Sequence, residues 1–185
     1  FERNSIQYLI DCKDISKVFI VTDTSMVELG FMNKIVDQLK SRRNEVTIQL
    51  FTDVEPDPDI STVKKGASLM ESFKPDTIIA LGGGSVMDAA KGMWLFYEHP
   101  EVNFDDLKQK FMDIRKRAFK FPQLGKKTKL ICIPTTSGTG SEVTPFAVIS
   151  DREHQKKYPL TDYSLTPTIA IIDPEFTTNL PASVT

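Results

Sequence analysis

Thr77-Ile78-Ile79-Ala80-Leu81-Gly82-Gly83-Gly84-Ser85 decides how the 185-residue sequence folds. The apolar run reads as a strand buried on both faces, and it passes directly into three glycines and a serine. Val86 to Tyr97 then has the spacing of a helix. A strand that meets a helix through glycines is a unit of a parallel α/β sheet. Residues without Cβ let the chain turn sharply and let a ligand come close to the backbone. The following helix aims unpaired N–H groups and its positive dipole end into the turn, which suits a pyrophosphate. The competing reading is a glycine turn that serves only helix–sheet packing; the flanking strand and helix favour phosphate.

Outward from this stretch the alternation repeats. Lys17-Val18-Phe19-Ile20-Val21-Thr22-Asp23 reads as a strand that stops on an acid. Ser25 offers an N-cap for a helix from Met26 to Lys40, with a break expected at Gly30. Val46 to Phe51 is a second strand, Pro56 and Pro58 bracket a turn, and Ile60 to Phe73 has helical spacing. After the glycine loop and its helix, Glu98 to Lys127 reads as a charged connection with helix expected around Phe104 to Lys116. Lys129 to Pro134, Ala147 to Ser150 and Thr168 to Asp173 are further strands. The expected fold class is therefore α/β: a Rossmann-like parallel sheet with helices on both faces and right-handed crossovers, in a single domain spanning 1–185. Ligands bind such sheets beyond the carboxyl ends of the strands, where Asp23, Gly82 to Ser85, and Thr135-Thr136 all fall.

Composition narrows the function classes. The chain is 40% hydrophobic and 26% charged, and 23 Lys or Arg against 25 Asp or Glu leave a formal net charge of −2. That balance gives no support for nucleic acid or a membrane surface as partner, and no apolar run is long enough to span a bilayer. Phe1-Glu2-Arg3-Asn4 does not read as a signal peptide. Cys12 and Cys132 are isolated and read as reduced thiols, which points to a cytoplasmic protein.

Other residues carry two readings each. The loop is neither a P-loop nor Gly-x-Gly-x-x-Gly, and the acid follows the first strand while the glycines follow the third. Asp23 could accept hydrogen bonds from a ribose and repel a 2′-phosphate, favouring NAD over NADP; spacing alone favours a helix cap through Ser25 or Met26 N–H. Residues 134–144, Pro-Thr-Thr-Ser-Gly-Thr-Gly-Ser-Glu-Val-Thr, carry six hydroxyls, which could surround a polar ligand or form a surface turn. His99 and His154 lie in no metal spacing and read as surface residues. Trp94, Phe96 and Tyr97 read as core, and the basic run Lys108 to Lys120 as a solvated face.

Gly82-Gly83-Gly84-Ser85-x-x-Asp88-x-x-Lys91 followed by the 134–144 stretch resembles the iron-dependent (group III) alcohol dehydrogenases. Phe1-Glu2-Arg3-Asn4-Ser5-Ile6-Gln7-Tyr8-Leu9 and Phe111-Met112-Asp113-Ile114-Arg115-Lys116-Arg117 narrow the likeness to the alcohol dehydrogenase half of the bifunctional aldehyde–alcohol dehydrogenases, over essentially the whole chain. The resemblance implies the N-terminal domain of the dehydroquinate synthase-like, iron alcohol dehydrogenase fold, binding NAD(H). It implies that Asp23 contacts the adenosine ribose, that Gly82, Gly83, Gly84 and Ser85 hold the pyrophosphate, and that Asp88 stands beside the cofactor. Thr135, Thr136 and Thr139 would line the adenine-to-nicotinamide path, and Lys157 falls at a cofactor-contacting lysine. Asp57 stands where relatives often have Asn near the cofactor, and Phe146 near the pocket for a short alcohol or aldehyde.

The family's iron ligands, one Asp and three His, belong to a helical C-terminal domain expected after Thr185. No residue of 1–185 is assigned to iron or zinc, and none is assigned a catalytic role. The implied function is ethanol–acetaldehyde interconversion with NAD, by a homo-oligomer (dimer or filament), with these residues alone inactive. Two alternatives stay open: a dehydroquinate-synthase-like lyase domain, which the hydroxyl-rich 135–144 stretch disfavours, and a non-catalytic nucleotide-binding or assembly module.

Overall fold

The computed structural model describes residues 1–107, 121–178 and 180, and of Asp105 and Asp106 only the backbone. Strands β1 (Lys17–Val21), β2 (Thr47–Phe51), β3 (Thr77–Gly82), β4 (Lys129–Pro134) and β7 (Ile169–Ala170) form one sheet in the order β2-β1-β3-β4-β7. All its pairings are parallel, with Val18 opposite Thr77 and Ile48, and Thr77 opposite Lys129. The continuous apolar runs of β1, β3 and β4 are explained by two cores, because alternate side chains point to opposite faces. Phe19, Val21, Ile78, Ala80, Leu130 and Cys132 enter the core on one face. Val18, Ile20, Ile79, Leu81, Ile131 and Ile133 enter the core on the other.

Helices α4 (Ile60–Phe73) and α5 (Gly84–Glu98) cover the first face through Val63, Ala67, Met70, Met87 and Met93. Helices α1 (Tyr8–Asp11), α2 (Thr24–Glu28) and α3 (Phe31–Lys40) cover the second through Leu9, Met26, Met32, Ile35 and Leu39. The Arg42 guanidinium ties α1 to the end of α3 by donating to the carbonyls of Leu9, Ile10 and Cys12. The break between α2 and α3 falls at Gly30, whose φ of 74° is one that L side chains rarely adopt. Asp23, not Ser25, caps α2, so that helix starts two residues earlier than expected. The last strand is shorter than expected: only Ile169–Ala170 is strand, between Pro167 and Pro174. The flanking amides still follow β4, Thr168 N to Leu130 O at 2.8 Å and Ile171 N to Cys132 O at 2.9 Å.

β5 (Phe146–Asp151) pairs antiparallel with β6 (Lys156–Thr161) in a separate two-stranded sheet. Its Ala147, Ile149 and Leu160 join the first core, beside α5. β6 escapes the sequence pattern because Lys-Lys-Tyr-Pro-Leu-Thr lacks an apolar run and carries a proline. Helix α6 (Phe104–Leu107) begins the expected charged helix; the rest of that expectation and the basic run over 108–120 lie outside the described residues. Among the described residues no helix is long and apolar enough to cross a membrane.

Candidate functional site

β1, β3 and β4 are neighbours in the sheet, so the segments leaving their carboxyl ends meet at one edge. The junction is tied at its base. Thr22 Oγ1 donates to Leu81 O at 2.7 Å, and Thr135 N donates to Gly82 O at 3.0 Å. Gly83 is the N-cap of α5 without a side chain to cap it, and the first amide turned back into the helix is Met87 N, to Gly83 O at 3.2 Å. The amides of Gly84, Ser85 and Val86 therefore point out of the helix start.

The threonine segment packs directly on this loop. A Cβ at Gly83 would meet Thr136 Cγ2 at 3.3 Å, and one at Gly84 would meet Thr139 Cγ2 at 3.2 Å. A Cβ at Gly82 would strike Val86 Cγ2 at 2.6 Å. Thr136 Oγ1 is buried with no hydrogen-bond partner, beside the loop's free amides. A buried hydroxyl left unsatisfied costs about 1–3 kcal/mol, so a polar ligand across this junction would recover a partner for it. Gly82, Gly83, Gly84, Ser85, Thr135, Thr136 and Thr139 are thus brought together. Thr135 is buried, whereas Thr139 is exposed and accepts from Ser141 N at 3.4 Å.

Asp23 follows β1 on the same edge. Its Oδ1 accepts from Met26 N at 3.1 Å, which is the capping reading, and the half-exposed carboxylate keeps a second oxygen. Asp57, Ser85 and Lys157 are also assembled by the fold. Asp57 N donates to Ser85 Oγ at 3.3 Å, and Lys157 Nζ lies 2.7 Å from Asp57 Oδ1. The ion pair is exposed, and Asp57 has a positive φ of 55°. Beside it a recess of about 450 Å³ is lined by Pro56, Asp57, Arg152 and Lys157, among others. Phe146 opens β5, half-buried.

Asp88 is committed to the protein: Oδ1 accepts from Ser141 Oγ at 2.6 Å, and Oδ2 accepts from Val148 N at 2.9 Å. Burial raises its carboxyl above the ordinary value, with those donors and Lys91 pulling it back. Lys91 carries no side-chain role in the sequence reading, yet it is fully buried and donates to Thr144 O at 2.8 Å and Phe146 O at 2.7 Å. Burial lowers its ammonium from the ordinary value. Its place three residues after Asp88 in the motif was the available signal.

Cys132 is buried, its thiol pushed up to about 12 by burial, and both cysteines are free. His99 lies half-buried, Nδ1 2.9 Å from Glu101 Oε1 and Nε2 3.0 Å from Gln123 O; exposed His154 contacts Asp151. Trp94, Phe96 and Tyr97 are core residues. No group of three or more His, Cys, Asp or Glu among the described residues could hold a metal ion, so these residues do not fit a resident iron.

The iron-containing alcohol dehydrogenase family matches residues 1–174. An aldehyde-alcohol dehydrogenase of Streptococcus pneumoniae serotype 4 is 70% identical over 184 residues, covering 100% of this chain and 21% of that protein. The bifunctional aldehyde-alcohol dehydrogenase of Escherichia coli K12 is 50% identical over 187 residues, covering 100% and 21%. The chain thus spans about a fifth of the length of these curated relatives. Among solved structures, sulfoacetaldehyde reductase from Bifidobacterium kashiwanohense, in complex with NAD+, superposes with a TM-score of 0.83 at 27% identity, over 98% of this chain and 46% of that one.

Proposed function

The chain belongs to the iron-containing alcohol dehydrogenase family, and from that premise we propose that residues 1–185 form the NAD(H)-binding domain of a metal-dependent alcohol dehydrogenase. The substrates proposed are short primary alcohols and their aldehydes, ethanol and acetaldehyde first. One observation carries the reading: the glycine loop and the threonine segment meet at side-chain contact around free amides and a buried, unpartnered Thr136 hydroxyl. That cradle fits a pyrophosphate, whose oxygens need donors at close range and tolerate no intervening Cβ. The NAD+ complex of the sulfoacetaldehyde reductase supports the same choice of ligand.

In this reading Gly82, Gly83, Gly84 and Ser85 hold the pyrophosphate, with Thr135, Thr136 and Thr139 as the opposite wall. Asp23 accepts the adenosine ribose hydroxyls on its second oxygen and repels a 2′-phosphate, favouring NAD(H) over NADP(H). Lys157 turns its ammonium from Asp57 toward the cofactor. Asp88 stands beside the cofactor on α5, and Phe146 offers an apolar wall to a short substrate. When bound there, NAD(H) would supply the hydride-transfer chemistry, and these residues would supply binding and orientation. The metal ligands are proposed to lie outside these residues, in a protein that works in the cytoplasm as a homo-oligomer.

Parallel titrations with NADH and NADPH, read by calorimetry, test the reading. Saturable binding that favours NADH is expected, and Asp23→Gly should narrow the preference. Residues 1–185 alone should oxidise little or no ethanol even with added iron. Equal affinity for both nucleotides would remove Asp23 as discriminator; no binding of either would remove the dinucleotide site.

A further inference from the structure

Asp88 and Lys91 stand three residues apart on α5, on one side of the helix. Between them they hold the backbone or side chains of Ser141, Thr144, Phe146 and Val148, at 2.6, 2.8, 2.7 and 2.9 Å. The held segment is the direct continuation of the threonine wall and ends in β5, whose first residue is Phe146. Pro145, in its middle, has no N–H to help fix it.

Apolar packing would hold a loop here with less desolvation, since charges of both signs are costly to bury. Burial disfavours the ionised forms of both groups. What the polar pair adds is a register: along 141–148 two donors, Ser141 Oγ and Val148 N, flank the two carbonyls of Thr144 and Phe146, and match one carboxylate and one lysine in one alignment. That register fixes how far the wall stands from Gly83 and Gly84, where the clearance is 3.2–3.3 Å for an added Cβ.

We propose that Asp88 and Lys91 are positioning residues: acting through segment 141–148, they hold the threonine wall against the glycine loop, and Lys91 itself does not touch the cofactor. The proposal rests on the dinucleotide reading above. It extends that reading to a buried residue whose bonds all go to the backbone and side chain of the held segment.

Hydrogen–deuterium exchange and NADH titration of the whole protein test it together. Lys91→Met keeps the chain's bulk and removes its donors. Exchange across 141–148 should rise and NADH should bind about tenfold more weakly, the loss expected when charged hydrogen bonds are broken. Met70→Ala, in the core of α4, provides a stability loss without touching the clamp; below its unfolding midpoint it should leave NADH affinity unchanged and should raise exchange at 141–148 no more than in the rest of the sheet. Ser141→Ala, which removes one clamp donor and leaves α5 intact, should move both readouts in the same direction as Lys91→Met, and Ser141→Thr should restore them. Should Lys91→Met not fold, the Ser141 pair decides.

Weaker NADH binding with unchanged exchange at 141–148 would mean direct contact and overturn the proposal. Looser exchange with unchanged NADH affinity would reduce the clamp to a structural tie and overturn it equally. If the unsubstituted protein binds no NADH, the cofactor reading itself fails, and the proposal falls with it; the exchange response then still reports whether the clamp exists.

Discussion

Single residues here do work that depends on partners far along the chain. Asp76 sits before β3, yet its Oδ2 accepts from Ser16 N at 2.9 Å, Ser16 Oγ at 2.5 Å and Lys17 N at 2.9 Å, and its Oδ1 accepts from Thr77 Oγ1 at 2.8 Å. Burial alone would raise this carboxyl, but those donors outweigh it and hold it below the ordinary 3.8. A lowered native value stabilises the fold above the unfolded value, and that contribution is lost as pH falls from 3.8 through the native value. Asp76→Asn should therefore cost roughly 1 kcal/mol at neutral pH, given its partial exposure. The gap to the unsubstituted protein should close as pH falls below 3.8. Urea unfolding across that range reads it, and a gap independent of pH would sink the assignment. The sequence reading had Asp23, Asp57, Ser85 and Lys157 as candidates, but not that the last three meet, because their separations of 28 and 100 residues leave no local signature. Asp23 carried both of its readings in the sequence, and the cap proves real while leaving an oxygen over.

Elements were legible where burial imposes a pattern and illegible where tertiary partners replace it. β1, β3 and β4 stand out as apolar runs because both faces are covered. β6 does not, since all its residues but Leu160 are exposed or half-buried and its pairing with β5 supplies the order. The end of α5 is a further case. Glu98 is 5% exposed, yet it lacks a lysine or arginine partner among the described contacts. Its Oε1 instead accepts from Trp94 Nε1 at 3.2 Å and the amides of Gly125, Lys127 and Thr128, and its Oε2 from Lys126 N at 3.1 Å. The carboxylate thereby organises the approach to β4, a role invisible in sequence because backbone amides carry no residue identity. Glu98→Gln keeps the shape but turns an amide NH2 toward one of these donors. It should lose about 1–3 kcal/mol and release Trp94 from its polar contact. Thermal unfolding followed by Trp94 emission checks it, and an unchanged midpoint would show that the amides need no anion.

At the scale of the molecule, the three central strands belong to both cores at once. Ile78 and Ile79 are neighbours in β3 and face opposite ways, one toward α4 and α5, the other toward α2 and α3. Neither core can lose its strands while the other keeps them, so the described fold should unfold as one cooperative unit. The glycine-loop edge inherits that coupling: Leu81 and Val86 flank the loop from opposite cores. Leu39→Ala offers the test, because Leu39 is fully buried on the α3 face, away from α5. Truncating it should cost about 2–5 kcal/mol. Trp94 emission, which reports the other face, should shift its unfolding midpoint together with the far-ultraviolet circular dichroism. Coincident shifts mean that damage behind the sheet reaches the glycine loop through the shared strands. If the dichroism moved and Trp94 did not, the two faces would be separate units, and the single cooperative fold argued from the shared strands would be wrong.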